Sequence, residues 1–380
     1  MVIYTKEKGF GENIKLNKTD KSVDYVNGEY VINCSILTYT EEDKKNLERK
    51  YEDYKTIFKN RKIDDMYKEN YKIAIDYFIK YFINERNFVF TINSKPYLLA
   101  RILYDTLMGD RVFNARPGYS IGLVSDIARM KDEIVYPLLF TCKNLTYNNF
   151  RTIVKLVLNC PCYYFSDFHN ILKDEVKKLY WSTIYDKQMA QLEAYGFNDD
   201  DYVEQYLTVS SLKPIVERFV VKGGSQAGEV KIVHDKKYEY DKKMMYDLSI
   251  NHIDLEYQSE RKEPLLELAD ELASFFHSLF MDCLNLYRSN ALYTDCHFTY
   301  LSNFLTLLTQ GNVEFQMPVN EWAFLMGVMD LCNDQISDFY KDNKIVDNII
   351  LCHYTRLSEY LKNHSNDKKV FTVFKTRVLR

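Results

Sequence analysis

The first forty residues alternate between apolar and polar positions in the manner of short β-strands. The clearest example is residues 23–32, in which two alternating runs flank Asn27-Gly28. Asn-Gly readily adopts the positive φ angles of a type I′ turn, so this segment predicts an N-terminal β-hairpin. Residues 88–92 form another short apolar run and predict a further strand.

Most of the chain after residue 40 carries apolar residues three and four positions apart, which is the spacing of an α-helix. Thr40 is followed by Glu41, Glu42 and Asp43. A hydroxyl followed by acids is typical of a helix N-terminus, where the helix dipole favours negative charge. Further helices are predicted at about 64–83, 95–109, 121–130, 147–159, 167–195, 264–287, from Pro318 onward, and at 345–363.

A second β-like region lies near residues 215–234, where two β-branched runs flank the Gly-rich residues 222–228. These glycines lack the spacing of a phosphate-binding Walker loop, so a second hairpin is the better interpretation. The chain is therefore predicted to be predominantly α with minor β, an α+β fold with a large multi-helix body. We divide it into a β-rich segment at 1–40, a helical domain at 41–210, a β-hairpin and charged linker at 211–262, and a C-terminal helical domain with a basic tail at 263–380.

Composition agrees with long helices and limits the function. The 380 residues include only 12 glycines and 7 prolines, and 46% are hydrophobic, which is globular composition. A net charge of -4 gives no overall attraction to nucleic acid or membranes, so such binding requires a local basic segment. The start lacks an apolar signal sequence and the eight cysteines are scattered, which predicts an intracellular, reduced protein without a membrane partner.

One segment suggests a metal site. Cys160 and Cys162 flank a proline, and His169 follows within reach of the next helix. Zinc needs four ligands and usually a wider spacing between paired cysteines, so a fourth ligand such as Cys142 would have to come from a distance. Free cysteines at a helix end explain the pattern better. We predict no metal and no cofactor, and a zinc-bearing regulator stays open as an alternative.

No catalytic motif is complete. His353 and Arg356 resemble the His-x-x-Arg of tyrosine recombinases, in which the nucleophilic tyrosine lies well downstream. Here the last tyrosine is Tyr360, one helical turn away. The acids at 199–201 and Glu204 carry oxygen ligands suited to magnesium, but they also suit the start of a helix. A nucleic-acid-processing enzyme that uses either set stays open as an alternative, although we favour a non-enzymatic role.

Two segments are predicted to contact partners. Arg111, Arg116 and Tyr119 lie in a turn-rich stretch, and Arg and Tyr are typical anchors of protein interfaces. The same residue types grip phosphates, so nucleic acid stays open as a second partner. The tail adds a positive segment without acids, formed by Lys368, Lys369, Lys375, Arg377 and Arg380.

The sequence thus favours a non-catalytic subunit of a larger intracellular assembly, in contact with other protein subunits. Abundant Lys, Asn, Asp, Ile, Tyr and Phe indicate an AT-rich genome such as that of a large DNA virus. In that setting, we expect the protein in the cytoplasm or nucleus of a host cell. We expect it to be a component of the late-gene transcription machinery or of the nucleocapsid.

Overall fold

The computed structural model is a mixed α+β protein, as the sequence predicts. It describes residues 1–9, 14–25, 28–83, 87–108, 118–161, 166–194, 230–235, 253–259, 262–288 and 313–318. None of the helices in these ranges is long and apolar enough to cross a membrane. The strands are β1 (Val2–Lys8), β2 (Lys15–Asn17), β3 (Ser22–Asp24), β4 (Tyr30–Thr38), β5 (Phe88–Ser94), β6 (Val230–His234), β7 (Ile253–Tyr257) and β8 (Val313–Gln316).

The helices divide into a group before β5, a longer group after it, and one long helix near the end of the described chain. They are α1 (Glu41–Ile57), α2 (Ile63–Lys68), α3 (Lys72–Phe82), α4 (Lys95–Met108), α5 (Gly118–Arg129), α6 (Tyr136–Lys143), α7 (Tyr147–Asn159), α8 (Ser166–Tyr180), α9 (Asp186–Ala194) and α10 (Pro264–Arg288). A π-helix (Lys131–Val135) connects α5 to α6.

Six strands form one mixed sheet in the order β7-β6-β1-β4-β5-β8. The central pairs β1–β4 and β4–β5 are antiparallel, and the outer pairs β1–β6, β6–β7 and β5–β8 are parallel. Each of the four predicted segments contributes at least one strand to this sheet. The segment at 211–262 supplies β6 and β7, and β6 pairs in parallel with both of its neighbours. The other half of the hairpin predicted near 215–234 lies outside the described residues.

A small N-terminal hairpin is present, but it lies earlier in the chain than the Asn-Gly turn predicts. Its strands are β2 and β3, and the side chain of Asn17 accepts hydrogen bonds from the backbone of Thr19 and Asp20 in the turn. The run predicted to follow Gly28 instead becomes β4, which pairs with β1 and β5. The reason is burial: all nine residues of β4 are buried, so both edges of this strand need backbone partners.

Several predicted helices are confirmed, but two that were predicted as continuous are each divided into two helices. Thr40 caps α1 through a reciprocal bond with Asp43, and α7 has the predicted bounds. The single helix predicted at 64–83 is α2 and α3, interrupted where Asn70 has a φ of 57°. The single helix predicted at 167–195 is α8 and α9, separated by a turn at 181–185. Helices predicted beyond residue 318 lie outside the described residues.

One face of the central sheet packs against α10. The rings of Phe90 and Phe276 meet with their centroids 4.0 Å apart, and Phe275 lies 4.8 Å from Phe276. Phe275, Phe276 and Leu279 of α10 are buried. Helices α1, α2 and α3 complete this core with buried aromatic residues, among them Tyr51, Tyr54, Phe78 and Phe82.

The opposite face of the sheet is also buried, but many of its side chains are small and polar. Because side chains alternate along a strand, Thr5 and Ser35 project away from α10, and the Ser35 hydroxyl donates to that of Thr5 at 2.9 Å. Other buried polar residues of this face include Asn33, Thr91, Asn93, His234 and Gln316.

A second apolar core is built by α4 to α9. It includes Leu103 of α4, Ile127 of α5 and Phe150 of α7, and it also takes in Val23 of the small hairpin. The backbone amide of Val23 donates to Asp132 in the π-helix at 3.2 Å, which holds the hairpin against this helical layer. This second core supports the surface formed by α7, α8 and α9.

Candidate interaction surfaces

Most residues predicted to bind partners or substrates lie outside the described part of the chain. Tyr119 belongs to the first turn of α5, but its side chain is not among those described. The predicted roles of all these residues stay predictions. Outside the described part are Arg111, Arg116, Lys368, Lys369, Lys375, Arg377, the acids at 199–201, Glu204, His353 and Arg356.

The candidate zinc ligands are only partly described. Cys160 is buried at the end of α7, where its carbonyl oxygen accepts a hydrogen bond from Lys173 Nζ at 2.6 Å. Cys142 is buried as well, and burial raises the pKa of its thiol to about 12. Cys162 lies outside the described residues, and His169 lies in α8 without a described side chain. Across the described chain, no three His, Cys, Asp or Glu side chains are placed to hold a metal ion.

The densest group of charges is a buried network between β1 and β6. His234 Nε2 lies 2.8 Å from Glu7 Oε2, and His234 Nδ1 lies 3.1 Å from the carbonyl oxygen of Asp235. Lys6 Nζ lies 2.6 Å from Asp235 Oδ2. Burial opposes the charged imidazole, but the Glu7 carboxylate, by its charge and its hydrogen bond, raises the pKa of His234 above the usual value.

An imidazole beside a carboxylate is also a common catalytic pair, so the surroundings of this network matter. Both side chains are buried: that of His234 has no exposed surface and that of Glu7 is 5% exposed. The charged groups are paired with one another, and this pairing offsets the free-energy cost of removing them from water. We therefore interpret the network as the ionic connection between two parallel strands. Sequence patterns do not reveal this pair, because Glu7 and His234 are 227 positions apart.

A second buried acid lies between α10, α1 and α2. Glu271 accepts hydrogen bonds from the Tyr51 hydroxyl at 2.9 Å and from the Ile63 amide at 3.3 Å. Burial raises the pKa of the Glu271 carboxyl to about 7, although both hydrogen bonds favour its charged form. The side chain thus joins three helices and changes charge near neutral pH.

The first exposed apolar region is the α1/α3 surface, formed by Ile57, Tyr71, Ile73, Tyr77 and Tyr81. Ile57 is 55% exposed and Ile73 is 70% exposed. Phe58 packs edge-on against the rings of Tyr71 and Tyr77, which brings the end of α1 beside α3. The Tyr77 and Tyr81 rings are 4.4 Å apart. Ile73, Tyr77 and Tyr81 are four residues apart in sequence, so they form one stripe along the helix.

The second exposed region is the α7–α9 surface, formed by Tyr147, Arg151, Tyr180, Trp181 and Ile184. Trp181 and Ile184 are each 68% exposed. The Arg151 guanidinium lies 4.9 Å from the centre of the Tyr180 ring, and the Tyr180 and Trp181 rings are 5.2 Å apart. The Tyr147 hydroxyl donates to Asp186 and so connects the start of α7 to α9.

Neither surface was predicted from the sequence, although the α1/α3 surface has a recognisable sequence pattern. The buried side of α3 contains Ala74, Ile75, Phe78 and Phe82, so the stripe that begins at Ile73 is a second apolar face on the same helix. A helix with two apolar faces needs two partners. Trp181 gave no such signal, because the single helix predicted there hides the turn in which it lies.

No family model matches the chain, no curated protein matches it, and no solved structure matches its fold. Its function therefore has to be inferred from its own residues.

Proposed function

We propose that this protein is a non-catalytic subunit of a larger intracellular assembly, and that a partner protein docks on the α1/α3 surface. The observation that carries the proposal is the exposure of Ile57 and Ile73, two large aliphatic side chains on adjacent helices. Aliphatic side chains gain free energy by leaving water, and contiguous exposed groups of them mark protein interaction sites.

The geometry of the surface favours an amphipathic helix as the docking element. Ile73, Tyr77 and Tyr81 follow one side of α3, and such a stripe pairs with apolar residues at the same spacing on a partner helix. Lys80 Nζ lies 5.4 Å from the centre of the Tyr81 ring, and the Arg61 guanidinium lies 6.0 Å from that of Tyr71. Arg61 is paired with Glu69, so Lys80 is the cation that favours a partner helix with acidic residues beside its apolar stripe.

We further propose that the assembly belongs to a large DNA virus, as late-gene transcription machinery or as part of the nucleocapsid. The support for this is compositional: 32 tyrosines and 23 phenylalanines, with abundant lysine and asparagine, indicate an AT-rich genome. An enzyme that uses the acids at 199–201, or the pair His353 and Arg356, is the alternative function. A zinc-bearing regulator built on Cys160 and Cys162 is the second alternative.

Affinity purification of the intact chain from its native source, with identification and quantification of the copurifying proteins, tests the proposal. We expect one or more proteins in fixed stoichiometry. We expect Ile57→Ser/Ile73→Ser to weaken their binding at least about tenfold, because central anchors carry most of the energy of an interface. Ile184→Ser is the matched control, since it removes an equally exposed aliphatic group from the α7–α9 surface.

Two results would contradict the proposal. One is a complex that Ile57→Ser/Ile73→Ser leaves unchanged, because the docking surface would then lie elsewhere. The other is a lone monomer with metal-dependent nuclease activity, which would favour the enzymatic alternative. Circular dichroism and thermal melting of each variant check that the fold is intact, as expected for changes at exposed positions.

A further inference from the structure

We propose that the α7–α9 surface binds single-stranded nucleic acid. The surface combines exposed aromatic rings with an excess of positive charge on α7 and at the end of α8. The inference is independent of the protein docking proposed for the α1/α3 surface, because the two surfaces share no residue.

The aromatic part of the surface is suited to stacking on bases. Trp181 is 68% exposed, and its position is set by the turn that separates α8 from α9. In that turn the amide of Trp181 donates to the Lys177 carbonyl oxygen at 3.2 Å, and the Ser182 hydroxyl donates to the Ile184 carbonyl oxygen at 3.1 Å. These bonds fix the backbone from which the indole projects, and the Tyr180 ring packs against the indole at 5.2 Å. The exposed face of the indole can stack on any base.

Basic side chains lie on α7 and at the end of α8, which precedes this indole. Arg151 and Lys155 are exposed one turn apart on α7, and their spacing corresponds to about 6 Å along the helix axis. Lys177 and Lys178 precede Trp181 at the end of α8 and line a shallow cleft of about 470 Å³ beside it. Cations in this arrangement can follow a phosphate backbone while the ring contacts a base.

The acids on the same surface are mostly engaged. Glu175 accepts a hydrogen bond from Lys178, and Asp186 accepts one from Tyr147. Asp174 also lines the cleft, and Asp186 keeps its charge because its donor Tyr147 is neutral. These two acids are outnumbered by Arg151, Lys155 and Lys177. The net local charge is therefore positive on a chain whose formal net charge is -4. Binding of a polyanion requires such a local patch.

Two features favour nucleic acid over a protein partner at this surface. Lysines are depleted in protein interfaces, whereas here Lys177 and Lys178 line the cleft beside the exposed indole. An indole is among its most exposed side chains, whereas the most exposed apolar side chains of the α1/α3 surface are Ile57 and Ile73, which cannot stack on a base. Unpaired bases are required for stacking, so a single strand fits the surface and a duplex does not.

Fluorescence anisotropy with labelled oligo(dT) and oligo(U) of about 15 nucleotides tests the inference, since sites of this class span up to about that length. We expect the intact chain to bind at low salt and to lose affinity between about 50 and 200 mM salt. Trp181→Ala should weaken binding about 5- to 150-fold, which corresponds to the loss of one stacked base. Oligo(dT) and oligo(U) together distinguish a DNA from an RNA preference.

Additional variants separate stacking from charge. Arg151→Gln should reduce the salt dependence by about 0.7 in the slope of log affinity against log salt. The chain has two tryptophans, and oligonucleotide should quench fluorescence in the intact protein but much less in Trp181→Phe. Tyr39→Ala removes an exposed aromatic ring that belongs to neither surface; it is the matched control and should bind like the intact chain.

The inference is overturned by any of three results. These are no oligonucleotide binding at low salt, equal binding by Trp181→Ala and the intact chain, or full competition by an unlabelled duplex. Loss of the copurifying proteins in Ile57→Ser/Ile73→Ser bears only on the α1/α3 surface. Failure of one proposal is thereby distinguishable from failure of the other.

Discussion

The two faces of the central sheet are built from the same strands but hold the protein together by different means. Towards α10, Phe88 and Phe90 meet Phe275 and Phe276 in a continuous aromatic contact. On the opposite face, the same strands carry hydroxyl and amide side chains that bond to each other, for example Ser35 to Thr5. Because side chains alternate along each strand, one face of the sheet is stabilised by the burial of apolar area. The other face is stabilised by hydrogen bonds, which require a defined geometry.

The two faces consequently respond to different disturbances. An aromatic contact is weakened by a cavity and is insensitive to pH. The ionic network of the polar face, with His234 and Glu7, is weakened by a change of charge and is sensitive to pH. Hydrogen bonds also require one register, so the polar face makes alternative pairings of β1 and β6 costly.

The largest effect is expected from opening a cavity in the aromatic face. Phe276→Ala should lower the free energy of unfolding by about 3–5 kcal/mol, because the ring is buried between the sheet and its own helix. Urea denaturation measures the change, and it should be similar at pH 5.5 and pH 8. Phe140→Ala is the control, since Phe140 is partly exposed and should matter much less. Near wild-type stability of Phe276→Ala would show that α10 is peripheral.

A smaller effect is expected from Glu271, the carboxyl that lies at the edge of the aromatic core. Its folded pKa of about 7 exceeds the ordinary value of 4.5, so it stabilises the fold below pH 4.5 and loses that contribution as the pH rises to 7. The loss amounts to about 3 kcal/mol over this window. Glu271→Gln should remove this part of the pH dependence. If the free energy of unfolding changes with pH in the same way in Glu271→Gln and in the intact chain, Glu271 is not the source of this pH dependence.

The smallest effect is expected from the charge pair of the polar face. Glu7→Gln should cost about 2 kcal/mol at pH 5.5, because it removes a charged hydrogen bond to His234. The pKa of His234 is raised, so the contribution is complete below about 6.5 and disappears as the pH rises through the folded pKa. The cost of the substitution should therefore shrink at pH 9. A cost that stays constant or grows with pH would contradict a charged imidazole.

The sequence predicted those parts of the fold whose signals are local. A capped start at Thr40 and a long apolar helix from Pro264 depend on residues within a few turns of each other, and both are present. The break at Asn70 was missed because asparagine enters the left-handed region without the glycine or proline that usually announces a turn. The hairpin predicted at Asn27-Gly28 was misplaced because the run after Gly28 is the fully buried strand β4. This strand pairs with β1 and β5 and not with the run before the turn.

The candidate surfaces and the ionic network were harder to predict, for a physical reason. Glu7 and His234 meet only because β1 pairs with β6, and sequence periodicity does not reveal which strands are neighbours. The exposure of Trp181 depends on where α8 ends, and boundaries of elements are less certain than their existence. Ile73 is the exception, since two apolar stripes on one short helix can be read from the sequence alone.

The pairing of β1 with β6 also has a consequence during synthesis. Lys6 and Asp235 are 229 positions apart, so a ribosome that adds about 5–20 residues per second takes about ten to forty-five seconds to make the second strand after the first. During that interval β1 can pair with β4 but keeps its other edge open. An open edge is a template for pairing with other nascent chains, so this central strand is where we expect chaperones to be needed.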